Sequence, residues 1–227
     1  MTALELDAAT KEHPGSPPVM ALRSVSLTIG EGEFAALVGP SGSGKSTLLA
    51  IAGTLERPTS GSVRIAGAGV GHLPDRELAA VRAYRIGFVF QQFFLVPTLS
   101  ALDNVASGLL YRGIPAARRR RAAAAALATV GLTHRAGHRP GALSGGEQQR
   151  TAIARALVGK PAVILADEPT GSLDTAAGQG ILALLTALNA AGSTILIATH
   201  NPEIATAVPR TITLRDGAIE SDSGSMR

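Results

Sequence analysis

The sequence predicts an α/β fold with a mainly parallel sheet, an N-terminal antiparallel β element and an inserted helical subdomain. Three observations predict it. Short apolar runs at 34–38, 86–90, 162–166 and 194–198 alternate with helix-length segments, the pattern of a parallel sheet with helices on both faces. The first run, in FAALVGPSGSGKSTLLAIAG (34–53), passes through a glycine-rich turn directly into a helical stretch. The alternation is broken once, over residues 92–140, by sequence that reads as helix throughout.

Residues 3–7 and 22–29 alternate, Val25, Leu27 and Ile29 against Ser26 and Thr28. This predicts two half-buried antiparallel strands around the His-Pro-Gly-Ser-Pro-Pro turn. After the glycine-rich turn and its helix, Thr59-Ser60-Gly61 predicts a turn and Val63 to Gly67 a strand. Residues 75–83 read as a short helix and Ile86 to Phe90 as a buried strand ended by Gln91. Residues 101–112 and 116–130 read as helices split by Gly113 and Pro115. There follow a helix from about Gly146 to Val158, the strand at 162–166, a helix at 175–190, the strand at 194–198 and a hairpin from Thr211 to Glu220. With no repeat of 20 to 50 residues and no linker, residues 1–227 are expected to form a single domain: a core from 1–91 and 141–227, with the helical subdomain at 92–140.

Composition sets bounds. The chain has 227 residues, and a 45% hydrophobic content is enough to build a large core. No run of eighteen apolar residues occurs, and Glu5 and Asp7 stand where a leader would be basic and then apolar, so neither a spanning segment nor secretion is expected. The absence of cysteine excludes disulfides, thiolate zinc sites and cysteine nucleophiles. Much of the +4 net charge sits in Arg118 to Arg121, which reads as a solvated helix end, with anionic lipid or nucleic acid as the lesser alternative. Aromatic residues make up only 3% with no Trp, which weighs against a base-stacking module.

Gly39, Gly44, Lys45 and Ser46 fit G-x-x-x-x-G-K-[ST] with a strand before and a helix after, the context of a P-loop NTPase core. Glycines at this spacing let backbone N–H groups curl around phosphate, and the helix N-terminus adds unpaired donors and its dipole. Gly39, Pro40, Ser41, Gly42, Ser43, Gly44, Lys45, Ser46 and Thr47 are the expected cradle. Lys45 serves as the mobile cation for the β- and γ-phosphates and Ser46 as a Mg²⁺ ligand. Val163 to Ala166 followed by Asp167 and Glu168 places two acids at the carboxyl end of a strand, where ligands meet open α/β sheets. Asp167 suits the Mg²⁺ shell, and Glu168 suits a base that orients and deprotonates water. A second helix opens at Leu143-Ser144-Gly145-Gly146-Glu147-Gln148-Gln149-Arg150, another anion-ready N-terminus without a lysine, half of a site.

LSGGEQQR between G-x-x-x-x-G-K-S and a strand ending in Asp-Glu resembles the ATP-binding subunits of ABC transporters, over about residues 20 to 220. The resemblance implies further roles. Gln91 is similar to the Q-loop glutamine that touches Mg²⁺ and the attacking water while facing the transmembrane partner. Asp174 is similar to the D-loop aspartate, and His200 to the switch histidine that contacts the γ-phosphate. In that family two copies face head to tail, so Ser144, Gly145 and Gly146 of one subunit close over ATP held by Lys45 of the other. The implied activity is ATP hydrolysis, with ATP and Mg²⁺, in a homodimer joined to a transmembrane permease. The implied location is cytoplasmic, peripheral on the inner face of the cell membrane, and no nucleic-acid partner is expected. Asp167 to Asp174 and Phe90 to Phe94 resemble the MacB-, LolD- and FtsE-like branch (macrolide export, lipoprotein release, cell division). The resemblance ends near Glu220, so the C-terminal regulatory domain that some importers carry is not expected.

Two segments depart from the pattern or extend it. Family members stack adenine on an aromatic in the turn between the first strands, whereas Lys11 to Gly15 has none, which leaves either His13 as a weaker stacking group or adenine loosely held. Four of the five phenylalanines fall within Phe88 to Phe94. Phe93 to Val96 run on beyond the strand, which predicts either a groove for a permease helix or a seam with the helical subdomain. His72, His134 and His138 read as solvated. The rival class is a soluble ABC-type ATPase acting on DNA or ribosomes, but neither a coiled coil nor a tandem ATPase nor a basic stripe is present for it. A kinase or GTPase would leave LSGGEQQR unexplained, and the guanine signature N-K-x-D is missing.

Overall fold

The alternating N-terminus folds into a long antiparallel hairpin, β1 (Thr2–His13) and β2 (Val19–Gly30). The structure, a computed structural model, describes residues 1–224. β1 runs six residues further than its apolar alternation suggests. Leu4 and Leu6 are buried, and the next buried residue is Ala9, because a bulge with Ala8 at φ 46° resets the alternation. β3 (Phe34–Val38), α1 (Lys45–Ala52), β4 (Ser60–Ile65), the two-residue β5 (Ala68–Gly69), α2 (Asp75–Arg85) and β6 (Ile86–Phe90) follow. Then come α3 (Ala101–Ser107), α4 (Ala116–Thr129), α5 (Gly145–Leu157), β7 (Val163–Asp167), α6 (Thr175–Ala190), β8 (Ile195–Thr199), α7 (Pro202–Ala207), β9 (Arg210–Arg215) and β10 (Ala218–Asp222).

Six strands form the main sheet in the order β10-β9-β3-β8-β7-β6, parallel except for the antiparallel edge strand β10. The hairpin is not merely an N-terminal appendage. β4 pairs with β1 and closes a second, four-stranded antiparallel sheet in the order β2-β1-β4-β5.

The central strands bury both faces, as parallel strands do. Ala35, Leu37, Leu165, Leu196 and Ala198 pack into one apolar core with α1, α2 and the antiparallel sheet. Phe34, Ala36, Ile164, Ala166, Ile195 and Ile197 face the other way, into a core shared with α3, α4, α5 and α6. Arg210 ties the end of this sheet together, bonding Asp222 on β10, and Glu33 and Thr28 O in the β2–β3 region.

The helix expected over 101–112 stops at Ser107. A Cβ on Gly108 would stand 2.7 Å from Arg155 O, so the chain passes hard against α5 there and continues as a 3₁₀ turn, Leu110–Arg112. α7 is an addition to the expected elements, although its start was legible: Asn201 caps it and Pro202 occupies its first turn.

Candidate functional site

β3 delivers Gly39 to Gly44 between β2 and β9. Gly39 sits at φ 154°, and a Cβ there would collide with Leu214 O; Gly44 sits at φ 102°, where a Cβ would lie 2.5 Å from Ala21 O. Both positions require glycine for conformation and for space. No side chain caps α1, so its first N–H groups face the loop unpaired. Lys45 is 8% exposed, and its ammonium donates to Gly39 O at 2.8 Å and Pro40 O at 2.9 Å, folded across the loop it would serve. The buried Ser43 Oγ has no partner within the described residues. The segment singled out from sequence, Gly39 to Thr47, is thus a tight turn leading directly into the first turn of α1.

Asp167 ends β7, next to β3's neighbour β8 and opposite Phe90 of β6. Its carboxyl is raised above the usual range by burial and by the charge of Glu168, against the opposing pull of a hydrogen bond from Ser46 and the charge of Lys45. Lys45, Ser46 and Asp167 therefore meet in space. A hydroxyl and a carboxylate are hard oxygen donors that suit Mg²⁺ completed by phosphate and water. Among the described residues no group of three His, Cys, Asp or Glu side chains is placed to hold a metal unaided.

Glu168 leaves the strand at φ 45°, a left-handed conformation that is uncommon outside glycine, while its N–H still bonds Ala198 O at 2.9 Å. The turn throws its side chain across to the end of β8. There Oε2 accepts from Thr199 Oγ1 at 3.0 Å, and Oε1 accepts from His200 N at 3.0 Å and meets His200 Nδ1 at 2.6 Å. With Nδ1 donating to the carboxylate, Nε2 of this 67% exposed ring is left outward and free for a ligand. Thr199, which also accepts from Asn201 N, was not singled out from sequence, where its only signal was its place at a strand's carboxyl end.

Gln91 follows β6 and lies against the loop after Glu168. A Cβ on Gly171 would stand 3.0 Å from Gln91 Nε2, and Ser172 Oγ donates to Gln91 O at 2.8 Å. Gly171, within the Asp167 to Asp174 stretch that carries the branch resemblance, is therefore what leaves room for Gln91.

Ser144, Gly145 and Gly146 gather elsewhere, with Asp174. Ser144 caps α5 in a reciprocal capping box with Glu147, and Arg135 bonds the same carboxylate at 2.8 Å. The N–H of Ser144, first, and the Arg135 guanidinium hold Glu147 below the usual carboxylate range. Asp174 caps α6 by accepting from Ala177 N at 2.8 Å. The two helix starts touch: Cβ atoms on Gly145 and Gly146 would lie 3.2 Å from Leu173 Cδ2 and 3.3 Å from Ala177 Cβ. This pair sits beside the β6–β7 side of the sheet, whereas the cradle follows central β3, and none of the hydrogen bonds joins Ser144 to the cradle.

His13 ends β1 opposite Val19, on the strand face it shares with Lys11, whose ammonium reaches Glu56 and Arg57 O just past α1. The Phe93 to Val96 stretch divides. Phe93 is half-buried and approaches Gly145, while Phe94, at φ 47°, is 61% exposed and Val96 45% exposed. Phe94 meets Phe90 edge-on at 5.4 Å and helps line a cleft of about 330 Å³ with Phe88, Phe90, Arg112 and Arg155. Arg155 holds the stretch by donating to Phe93 O and Phe94 O. Among the described residues no helix is long and apolar enough to cross a membrane.

Set beside known proteins, residues 22–171 match the profile of the family described as ABC transporter. The chain is 50% identical to the macrolide export ATP-binding/permease protein MacB of Chromobacterium violaceum, over 98% of this chain but 35% of that protein, so it spans about a third of such relatives. It is also 50% identical to YknY of Bacillus subtilis, an uncharacterized ABC transporter ATP-binding protein, over 91% of this chain and 90% of that one. A solved structure of the ATP-binding cassette MJ0796, dimeric and bound to ADP and Pi in a post-hydrolysis state, superposes with a TM-score of 0.87 at 45% identity, covering 97% of both chains.

Proposed function

This chain belongs to the ABC transporter family, and from that premise we propose that it binds and hydrolyses ATP in a homodimer and drives a separate transmembrane permease of the export or lipoprotein-release type. The observation that carries the reading is the convergence of four chain segments on one strand-end surface: the Gly39–Thr47 cradle, Asp167, Glu168 with Thr199 and His200, and Gln91 against Gly171.

The cradle's N–H groups and Lys45 bind phosphate, for which Lys45 exchanges its two carbonyl contacts for phosphate oxygens. Ser46 and Asp167, with Gln91, hold Mg²⁺, which when bound neutralises charge on the β- and γ-phosphates. Glu168 takes a proton from water. Thr199 and His200 fix its carboxylate in place, so little reorganisation is left for the reacting step. His200 Nε2 is turned outward for the γ-phosphate. Ser144, Gly145 and Gly146 supply donors to nucleotide in the second subunit, and Asp174 stands at the same junction. His13 supports adenine. The domain is single, with 92–140 as its helical subdomain, and the Phe94 cleft receives a cytoplasmic helix of the permease, which holds the subunit at the inner face of the membrane.

The soluble, nucleic-acid-directed alternative has less support, since a relative sharing half of these residues is named as an ATP-binding/permease export protein. Purification of the tagged chain from solubilised membranes tests the choice. A stoichiometric membrane protein that stimulates Mg-ATP turnover is expected. Turnover stimulated by nucleic acid, with no membrane protein retained, would overturn it.

A further inference from the structure

The fifth residue of α5, Gln149, turns into the protein and is completely buried. Its amide nitrogen donates to two carbonyls that belong to different segments, Phe90 O at 3.2 Å and Pro169 O at 2.7 Å. Phe90 immediately precedes Gln91, and Pro169 immediately follows Glu168. The β6–β7 ladder ends at the pair Phe90 and Asp167. Past that pair the chains part, Gln91 going to Gly171 and Glu168 turning to β8, and the Gln149 amide bridges them where the ladder stops. Its Oε1 has no hydrogen-bond partner within the described residues. A methionine or leucine would fill the same space without burying an unanswered acceptor, so packing does not account for an amide here. The two donated bonds do.

We propose that Gln149 is a positioning residue for hydrolysis, fixing the spacing of Gln91 and Glu168 against α5. It rests on the ATP-hydrolysis reading above and deepens it. α5 opens with the Ser144–Gly146 loop, so a single helix links the loop that meets the second subunit's nucleotide to the exits of both catalytic strands. Gln149 is completely buried, away from the surface where nucleotide would bind. It acts through the backbone on either side, and its loss should therefore alter turnover and leave nucleotide affinity alone.

Two variants in the full chain test this, Gln149→Met, which keeps length and removes the donor, and Gln149→Glu. Phosphate release from Mg-ATP is measured from about pH 6 to about pH 9, together with KM and the melting temperature; burial raises the pKa of a glutamate, so on the acidic side it carries one O–H to donate in place of an amide hydrogen. Gln149→Met is expected to lower kcat by about 10²-fold, the cost of roughly an ångström of misplacement, with KM for ATP unchanged and no pH dependence beyond the wild type's. Gln149→Glu is expected to be equally slow at alkaline pH and to recover part of the loss as pH falls. Either of two results overturns the proposal: near-normal kcat in Gln149→Met, or parallel changes in kcat, KM and melting temperature in both variants without acid recovery. Wild-type protein that fails to hydrolyse ATP would instead bring down the functional reading, and this proposal with it.

Discussion

Replacing Glu168 with glutamine separates chemistry from binding, and the structure supplies the magnitude. The carboxylate accepts from Thr199 Oγ1, His200 N and His200 Nδ1. A glutamine whose oxygen stays on His200 keeps both of those donors satisfied and turns its NH₂ toward Thr199 Oγ1, which has capacity to accept. The fully buried Thr199 O–H, which donates to Glu168 Oε2, loses that acceptor. Also lost is the charge assistance on a histidine that is 67% exposed, and solvent screens most of that. The stability change should be about 1 to 3 kcal/mol, most of it from the Thr199 hydroxyl. Turnover should fall by about 10²- to 10⁴-fold, the usual cost of removing a general base. ATP affinity should persist, because none of the hydrogen bonds of Glu168 runs to Gly39–Thr47. Bound but uncleaved ATP should then hold two subunits together through Ser144 and Gly146. The assays are phosphate release, equilibrium ATP binding, thermal melting and sizing chromatography with Mg-ATP. A Glu168→Gln protein with near-normal phosphate release would assign the base elsewhere. One that binds ATP yet runs strictly as a monomer, alone and with its permease, would refute the composite site.

Three further outcomes follow from named contacts. Arg210→Met strands Glu33 and Asp222 without their cation and should cost roughly 3 kcal/mol at neutral pH by chemical denaturation. Arg210's hydrogen bonds hold Asp222 below its ordinary pKa, so this stability is present above the unfolded carboxylate range and disappears as pH falls through the lowered value; the gap to wild type should narrow below about pH 4. Phe94→Ser, at an exposed site with one edge-on aromatic contact, should cost about 1 kcal/mol or slightly more and abolish permease binding, whereas the half-buried Phe93→Ser should melt distinctly earlier; a Phe94→Ser subunit that binds its permease normally would remove the cleft from the coupling surface. His13→Tyr should tighten ATP by roughly 1 to 3 kcal/mol if the turn stacks adenine, and an unchanged dissociation constant would place the base on another group.

Much of the architecture was legible because it depends on local chemistry. The strands at 86–90 and 195–199 are apolar runs too short for helices, and α6 begins at an aspartate that can cap it. The glycine-rich turn was legible for a sharper reason, since a loop packed this tightly between strands needs glycine at fixed places, Gly39 and Gly44. What the order of residues could not disclose was long-range. That β4 would close the first sheet against β1, that Gly108 would end α3 against Arg155 O, and that Phe93 and Phe94 would part to opposite environments all depend on elements far apart in the chain.

The sequence by itself determined the glycine-rich turn at Gly39 to Gly44, the pair of acids, the second helix start at Ser144 and the alternation that makes the sheet, because each is a local backbone requirement written in neighbouring residues. Only the tertiary structure decided that Glu168 would be held by Thr199 and His200, that Gly171 would make room for Gln91, and that Gln149 would join Phe90 to Pro169. Those contacts span 20 to 81 residues of chain. They exist only where parallel strands end side by side, and the side chains that make them are ordinary in sequence until the sheet brings their partners within hydrogen-bond reach.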